Sequence, residues 1–254
     1  MSSKLYSIEY LEKTTQLLKE IKEKSYERFL NLETGHIADV GCGTGQDAIN
    51  LSRLIPGQVE VTGVDIAEDM VQKARENAAG MEGISFLQAN VEALPFDNES
   101  LQGLRNERLI QHVPHPEQAL SEFNRVLKPG ASLVIVETDW SSMTLYSAPP
   151  GMADRVKDFY ARKNVPNGSV ALDLNTLLLQ TGFKNIEFNV YPLVSHSLDQ
   201  VIAFIRLDYI LQQMVARELM STEEHETLYK ALREADTKGH FAMSLNLVVA
   251  TGIK

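Results

Sequence analysis

Three glycines at alternate positions follow an acid in the stretch Ile37-Ala38-Asp39-Val40-Gly41-Cys42-Gly43-Thr44-Gly45. Glycines suit a tight turn with unusual backbone angles, and their missing side chains let a ligand lie against the main chain. The apolar residues before them read as a buried strand and Gln46 to Leu54 as a helix, so this is a strand, a turn and a helix start. The dinucleotide fingerprint places a third glycine after two intervening residues. Here Gln46 stands where that later glycine should be, and Asp39 lies where it would repel a pyrophosphate and attract an ammonium group. Asp65, twenty residues after Gly45, ends the strand that begins at Val59. A carboxylate there accepts two hydrogen bonds from a ribose diol, a use open to an adenosine-bearing cation and to NAD alike. Asn90 follows a third short strand, Ile84 to Gln88, where its amide can bond an adenine edge.

A second set of candidates lies further on. His112 is the best candidate base, beyond a fourth strand at Leu101 to Arg105, with an ordering or packing histidine as the other reading. His115 lies close by, but a two-histidine metal site lacks a third ligand. Asp139 and Trp140 are expected to end the fifth strand and border an acceptor pocket. The indole can stack on an aromatic acceptor or form the wall of a core. Glu137 reads as a buried, paired acid or a neighbour of the ligand, and Cys42 as a small filler in the turn.

Positioning these residues requires alternating strands and helices, which implies a parallel sheet with ligands at the carboxyl ends of its strands. Helices are expected over Glu68 to Ala79 and Pro116 to Leu127, the latter stopped by Lys128-Pro129-Gly130, with a strand from Ala131 to Glu137. Beyond Trp140 the pattern predicts a loop from Ser141 to Gly151, then helices over Met152 to Lys163 and Leu174 to Thr181, and a strand over Asn185 to Val190. Two further helices, Leu198 to Met220 and Thr222 to Ala235, precede a last strand over Leu245 to Thr251. They read as a lid inserted between the last strands. One helix presents Phe204, Leu207, Tyr209, Ile210, Leu211 and Met214 as a broad apolar surface, and Glu223, Glu224 and Glu226 read as a solvated face. From Ser7 to Leu32 an amphipathic helix or helix pair either lies on the core or closes as a flap, with Tyr6 and Tyr10 toward the ligand.

The bulk numbers narrow the class. With 254 residues, 44% hydrophobic and 23% charged, the chain has the composition of an ordinary globular protein. A net charge of −10 argues against holding a nucleic-acid backbone over a broad surface. No run reaches the length of a membrane span, and Met1 to Lys24 has no apolar stretch of a signal peptide. The single cysteine fits a reducing cytoplasm.

The chain resembles the class I S-adenosylmethionine-dependent methyltransferases, particularly the group of quinone-biosynthesis and small-molecule enzymes. The resemblance covers roughly Ile37 to Thr138 and rests on five stretches: the Asp39 to Gly45 turn; Gly63-Val64-Asp65-Ile66 with Met70; Asn90-Val91-Glu92-Ala93-Leu94-Pro95-Phe96; His112-Val113-Pro114; and Arg125-Val126-Leu127-Lys128-Pro129-Gly130. Glu137-Thr138-Asp139-Trp140 resembles a subgroup. The resemblance implies an α/β fold, a Rossmann-like doubly wound seven-stranded mostly parallel sheet with helices on both faces and a small helical lid. The whole is read as one domain over residues 1–254, with a flap at 1–33, a cofactor-binding core at 34–140 and the lid at 195–238.

Carried onto this sequence, the resemblance implies that Gly41, Gly43 and Gly45 receive the methionine part of S-adenosyl-L-methionine and that Asp39 helps to place its amino group. Asp65 would hold the ribose, Ile66 and Met70 would flank the adenine, and Asn90 and Val91 would meet its edge. The family commonly has Asp at the position of Asn90. In the segment after Leu104, Arg105, Glu107 and Arg108 replace its usual apolar residues. The expected activity is methyl transfer to an O, N or C atom of a small hydrophobic or aromatic molecule, releasing S-adenosyl-L-homocysteine. The partner is that acceptor, not a nucleic acid, and a homodimer is compatible with the reading. The alternatives are a cofactor-binding sensor or partner subunit without catalysis and, third, an NAD-dependent oxidoreductase.

Overall fold

The computed structural model describes residues 18–55 and 58–254. The expected flap residues Tyr6 and Tyr10 lie outside them. Helix α1, Lys19–Tyr26, continues as a 3-10 turn, Glu27–Phe29, and buries Ile21, Tyr26 and Phe29. It leads into β1 (Thr34–Val40), α2 (Gln46–Leu54), β2 (Gln58–Asp65), α3 (Glu68–Asn77), β3 (Ile84–Gln88) and β4 (Leu101–Glu107). Gly103 interrupts the apolar run of β4 because a Cβ there would stand 2.6 Å from the Phe29 ring, so the glycine admits that ring against the sheet. A 3-10 turn at Ile110–His112 precedes α4 (Pro116–Val126), which starts on its proline, and β5 (Leu127–Leu145) follows directly.

The remaining elements are α5 (Met152–Phe159), a π-helical turn (Tyr160–Asn164), α6 (Val170–Gln180), β6 (Lys184–Ser195), α7 (Leu198–Ile205), α8 (Leu207–Ala216), α9 (Thr222–Thr237) and β7 (Met243–Ile253). The seven strands form one sheet in the order β3-β2-β1-β4-β5-β7-β6. β7 runs antiparallel to both neighbours and the other pairings are parallel. The winding reverses between β1 and β4, so the crevice at their carboxyl ends is the place for a ligand.

Alternation along the strands feeds two apolar layers. Ile37, Val61, Val134 and Val136 face α1, α2 and α3, whereas Ala38, Val40, Leu104, Leu133 and Ile135 face α4 and α6.

Three expectations need correction. β5 does not end at Trp140 but pairs with β7 through Asp139↔Asn246 and, past an irregularity, through Thr144↔Ser244. The serines that read as a loop hold that irregularity together: the Ser142 hydroxyl donates to the Asp139 carbonyl at 2.7 Å and accepts from Asn246 N–H at 2.8 Å. The helix expected from Leu198 to Met220 is two helices, broken where Arg206 turns left-handed (φ 56°). Glu224 is not merely solvated. Its carboxylate accepts from Ser221 N–H at 2.7 Å while Ser221 Oγ accepts from Glu224 N–H, a reciprocal cap of α9, and it also pairs with Arg155.

Helices α7 to α9 connect β6 to β7. Their inner faces, including Phe204, Leu207, Ile210, Leu211 and Met214, share one apolar cluster with Trp140, Met143 and Leu145 of β5 and with Leu193 of β6. Tyr209 alone of the expected stripe is exposed.

Candidate active site

The glycine turn bends over the end of β2. Gly41, Gly43 and Gly45 have φ of 77°, 52° and 81°. The N–H groups of Gly41 and Cys42 both donate to the Val64 carbonyl, at 2.7 and 3.0 Å. Gly43 N–H donates to one oxygen of Asp65 at 2.9 Å, and Ala67 N–H donates to the other at 3.0 Å. The carboxylate is thus fixed in orientation, and each oxygen keeps a lone pair for an incoming hydroxyl. Beside it Ile66 is 54% exposed, a large apolar side chain left at the surface where a planar apolar ring can cover it. Met70 is half-buried on the first turn of α3. The end of β3 is held next to β2 by Ala89 N–H donating to the Asp65 carbonyl at 3.0 Å, which brings exposed Asn90 and half-buried Val91 to the same edge. The Asn90 side-chain oxygen accepts from Glu92 N–H at 3.1 Å.

Asp39 faces away from this edge into a buried charge network. Its carboxylate accepts from the Arg105 guanidinium at 3.0 Å, and both side chains are almost wholly enclosed. Arg105 also donates to Glu107 at 2.7 Å and to Ser25 Oγ at 2.7 Å, and lies 3.4 Å from Asp47. Lys22 bridges Asp47 at 2.6 Å and Glu107 at 2.7 Å, and the Tyr26 hydroxyl donates to Asp47. Burial lifts the Asp39 carboxyl to about 7 against the pull of Arg105. Burial opposes ionisation of Asp47 too, but Arg105 and Lys22 outweigh it and hold that carboxyl well below its ordinary range. The network ties α1 to the helix that follows the glycine turn and to the end of β4. A signal for it existed in the sequence. Two opposite charges at i and i+2 of a strand share one face, and Asp39 sits beside Arg105 once β1 and β4 pair.

The loop after β4 carries the other candidates. His112 is half-buried, and burial, reinforced by Arg108, lowers its pKa to about 4, so the ring is neutral at physiological pH. His115 is exposed at the entry to α4. Among the described residues no group of three His, Cys, Asp or Glu side chains could hold a metal. Glu137 is fully buried, accepts from Ile110 N–H at 2.6 Å, and is pushed by burial to about 8. Asp139 is half-buried and turned onto Ser141 N–H at 3.1 Å. Trp140 is buried, stacked on Tyr160 at 4.5 Å and 13°, with its indole N–H donating to Gln111 Oε1 at 2.7 Å. Arg108 lies 6.0 Å from the Phe204 ring, where the loop meets α7. Cys42 is half-buried in the turn, its thiol pushed far up by burial.

A seven-stranded sheet of this order with an antiparallel β7 is the Rossmann-like fold also found in solved methyltransferase structures. Residues 37–130 match the family model described as a methyltransferase domain. Over 108 residues it is 36% identical to demethylmenaquinone methyltransferase of Staphylococcus aureus, covering 42% of this chain and 45% of that one. The chain spans less than half the length of the curated relatives it matches. A crystal structure of a candidate methyltransferase from Bacillus halodurans superposes with a TM-score of 0.65 at 20% identity, over 92% of this chain and 99% of that one. Phosphoethanolamine N-methyltransferase 2 of Haemonchus contortus, solved with phosphomonomethylethanolamine and S-adenosylhomocysteine, superposes with a TM-score of 0.60 at 16% identity, over 95% of this chain and 56% of that one.

Proposed function

We propose that this protein transfers a methyl group from S-adenosyl-L-methionine to an O, N or C atom of a small hydrophobic or aromatic molecule. The observation that carries the reading is the pairing of a main-chain-locked Asp65 with an exposed Ile66 beside three left-handed glycines. That set suits a ribose diol, whose hydroxyls donate to the carboxylate, an adenine face and a methionine chain lying against bare backbone. The cofactor supplies an already activated methyl on a sulfonium, so the protein's task is to hold the acceptor in line with it, where orientation is worth about 7–11 kcal/mol at best. Asn90 and Val91 receive the adenine edge and Met70 its face. With Asp39 turned onto Arg105, its effect on the amino group of the methionine part is exerted through the network's field and the position of the turn.

The acceptor side is formed by the loop carrying His112, by Asp139 and Trp140, and by the nearby lid helices. His112, neutral and weakly basic, accepts a proton only from an acidic acceptor. The acidic net charge supports a small acceptor over a nucleic acid, and the lone cysteine supports a reducing, cytoplasmic setting. Among the described residues no helix is long and apolar enough to cross a membrane.

Calorimetry with S-adenosyl-L-homocysteine, with NAD as control, tests the donor. We expect binding of the first and none of the second; the reverse sinks the proposal. Release of S-adenosyl-L-homocysteine across a panel of phenols, quinols and amines then tests transfer, and tight binding without turnover on any of them would favour the sensor reading. In the same assay His112→Ala with unchanged turnover removes that residue from the mechanism. If it acts as base, its limb in the rate profile lies near pH 4 and not near 6.5.

A further inference from the structure

The loop between β4 and α4 touches both halves of the proposed site, and one buried side chain makes the connection. Gln111 is 2% exposed. Its amide nitrogen donates to the Arg108 carbonyl at 3.1 Å and its amide oxygen accepts the Trp140 indole N–H at 2.7 Å. Its own carbonyl accepts from Asn167 N–H at 2.9 Å, and its N–H points to Glu137 at 3.4 Å. On one side the loop leans on the glycine turn, since a Cβ at Gly41 would lie 3.1 Å from Leu109 Cδ1. On the other side Trp140 stacks on Tyr160, whose hydroxyl donates to the Ile205 carbonyl at 2.6 Å. Ile205 immediately precedes the left-handed break at Arg206 that separates α7 from α8. A connected path therefore runs from the glycine turn to Leu109, along the backbone of the same loop to Gln111, and by direct contacts through Trp140 and Tyr160 to the bend in the helices between β6 and β7.

We propose that Gln111 is a positioning residue that sets the Trp140 wall and the α7–α8 bend in register with the cofactor turn, so that the acceptor is held in line with the methyl group only while this amide bridges Arg108 and Trp140. The inference rests on the methyl-transfer reading of the same site. A buried primary amide suits the task because it donates to the residue after β4 and accepts from a residue within β5 at once. An apolar residue of equal length would fill the space and leave both partners without it. Since misplacement by about 1 Å can cost a hundredfold in rate, loss of the bridge acts on turnover more than on cofactor binding.

Trp140 is the only tryptophan in the chain, so its emission reports on this contact directly. The variant Gln111→Met keeps length and volume. We expect it to bind S-adenosyl-L-homocysteine within about twofold of the parent while kcat falls roughly tenfold or more. The parent should show a change in Trp140 emission when S-adenosyl-L-homocysteine is added, and that change should vanish in Gln111→Met. Trp140→Phe keeps an aromatic ring to face Tyr160 and removes the indole donor along with part of the ring volume. It should lower kcat in the same direction, and the double variant should be no slower than Gln111→Met alone. Losses that multiply in the double variant, an unchanged kcat, or an emission response that survives in Gln111→Met would each overturn the assignment. If Gln111→Met does not fold, Trp140→Phe decides alone, with unchanged kcat overturning it. The emission measurement needs no turnover, so it stays decisive if the protein binds S-adenosyl-L-homocysteine but methylates nothing. Failure to bind it removes the methyl-transfer reading itself.

Discussion

Glu137 is a carboxyl whose chemistry departs far from its type. Its carboxyl accepts two main-chain N–H groups, yet one oxygen has no hydrogen-bond partner among the described residues and burial keeps the group protonated to about 8. In the unfolded chain it ionises near 4.5. Between these values the folded state binds the extra proton, so this group makes stability fall as pH rises, a penalty complete only above about 8. Glu137→Gln carries no titration while keeping an oxygen for Ile110 N–H. Urea midpoints at pH 5, 6.5 and 8 should therefore shift progressively in favour of the variant, and a constant offset would show that the carboxyl does not titrate in that window. Sequence marked Glu137 as a buried, paired acid or a neighbour of the ligand. Its neutrality was not readable, since that depends on the loop at Ile110 folding over it. The same contrast holds at the glycine turn. The glycine turn and Asp65 were legible because their spacing is local, whereas the partner of Asp39 lies 66 residues away on another strand.

At one contact between elements a buried charge network adds to apolar burial. α1 presents Lys22, Ser25 and Tyr26 to the β1 and β4 ends and to α2, and Arg105 is the hub of that contact, 1% exposed. Removing one partner of a buried pair strands the others without water, which costs about 3–5 kcal/mol. We expect Arg105→Met to lose that much in denaturant melts and adding Asp39→Asn to recover part of it. A loss below about 1 kcal/mol would mean the carboxylates are neutral or solvated in the fold. Element order through α4 was readable from periodicity and from Pro116 and Gly130 as boundaries. Two elements were not. The break at Arg206 carries no glycine or proline, and the run of β5 past Trp140 is specified by a strand that begins about a hundred residues later, at Met243.

At the scale of the molecule, the helices between β6 and β7 have no core of their own. Leu198, Phe204, Leu211, Leu228 and Leu232 pack in the same cluster as Leu145, Leu245 and the face of the sheet that carries Ile37 and Val61. Shared burial of this kind couples the two regions, so local opening of the helices exposes the sheet's upper edge as well. The protein should therefore melt in one transition seen alike by far-ultraviolet circular dichroism and by Trp140 emission, which reports from the junction. A ligand that binds only the folded state at a hundredfold excess over its Kd adds about 2.7 kcal/mol. For a chain of this size that moves the midpoint by roughly 5–11 °C. S-adenosyl-L-homocysteine should shift both signals together, although the proposed cofactor residues all lie before Asp97 and none is in the helical insertion. An early emission transition that the ligand leaves in place would mean that the helices unfold separately and that the contacts through Trp140 do not join them to the cofactor turn.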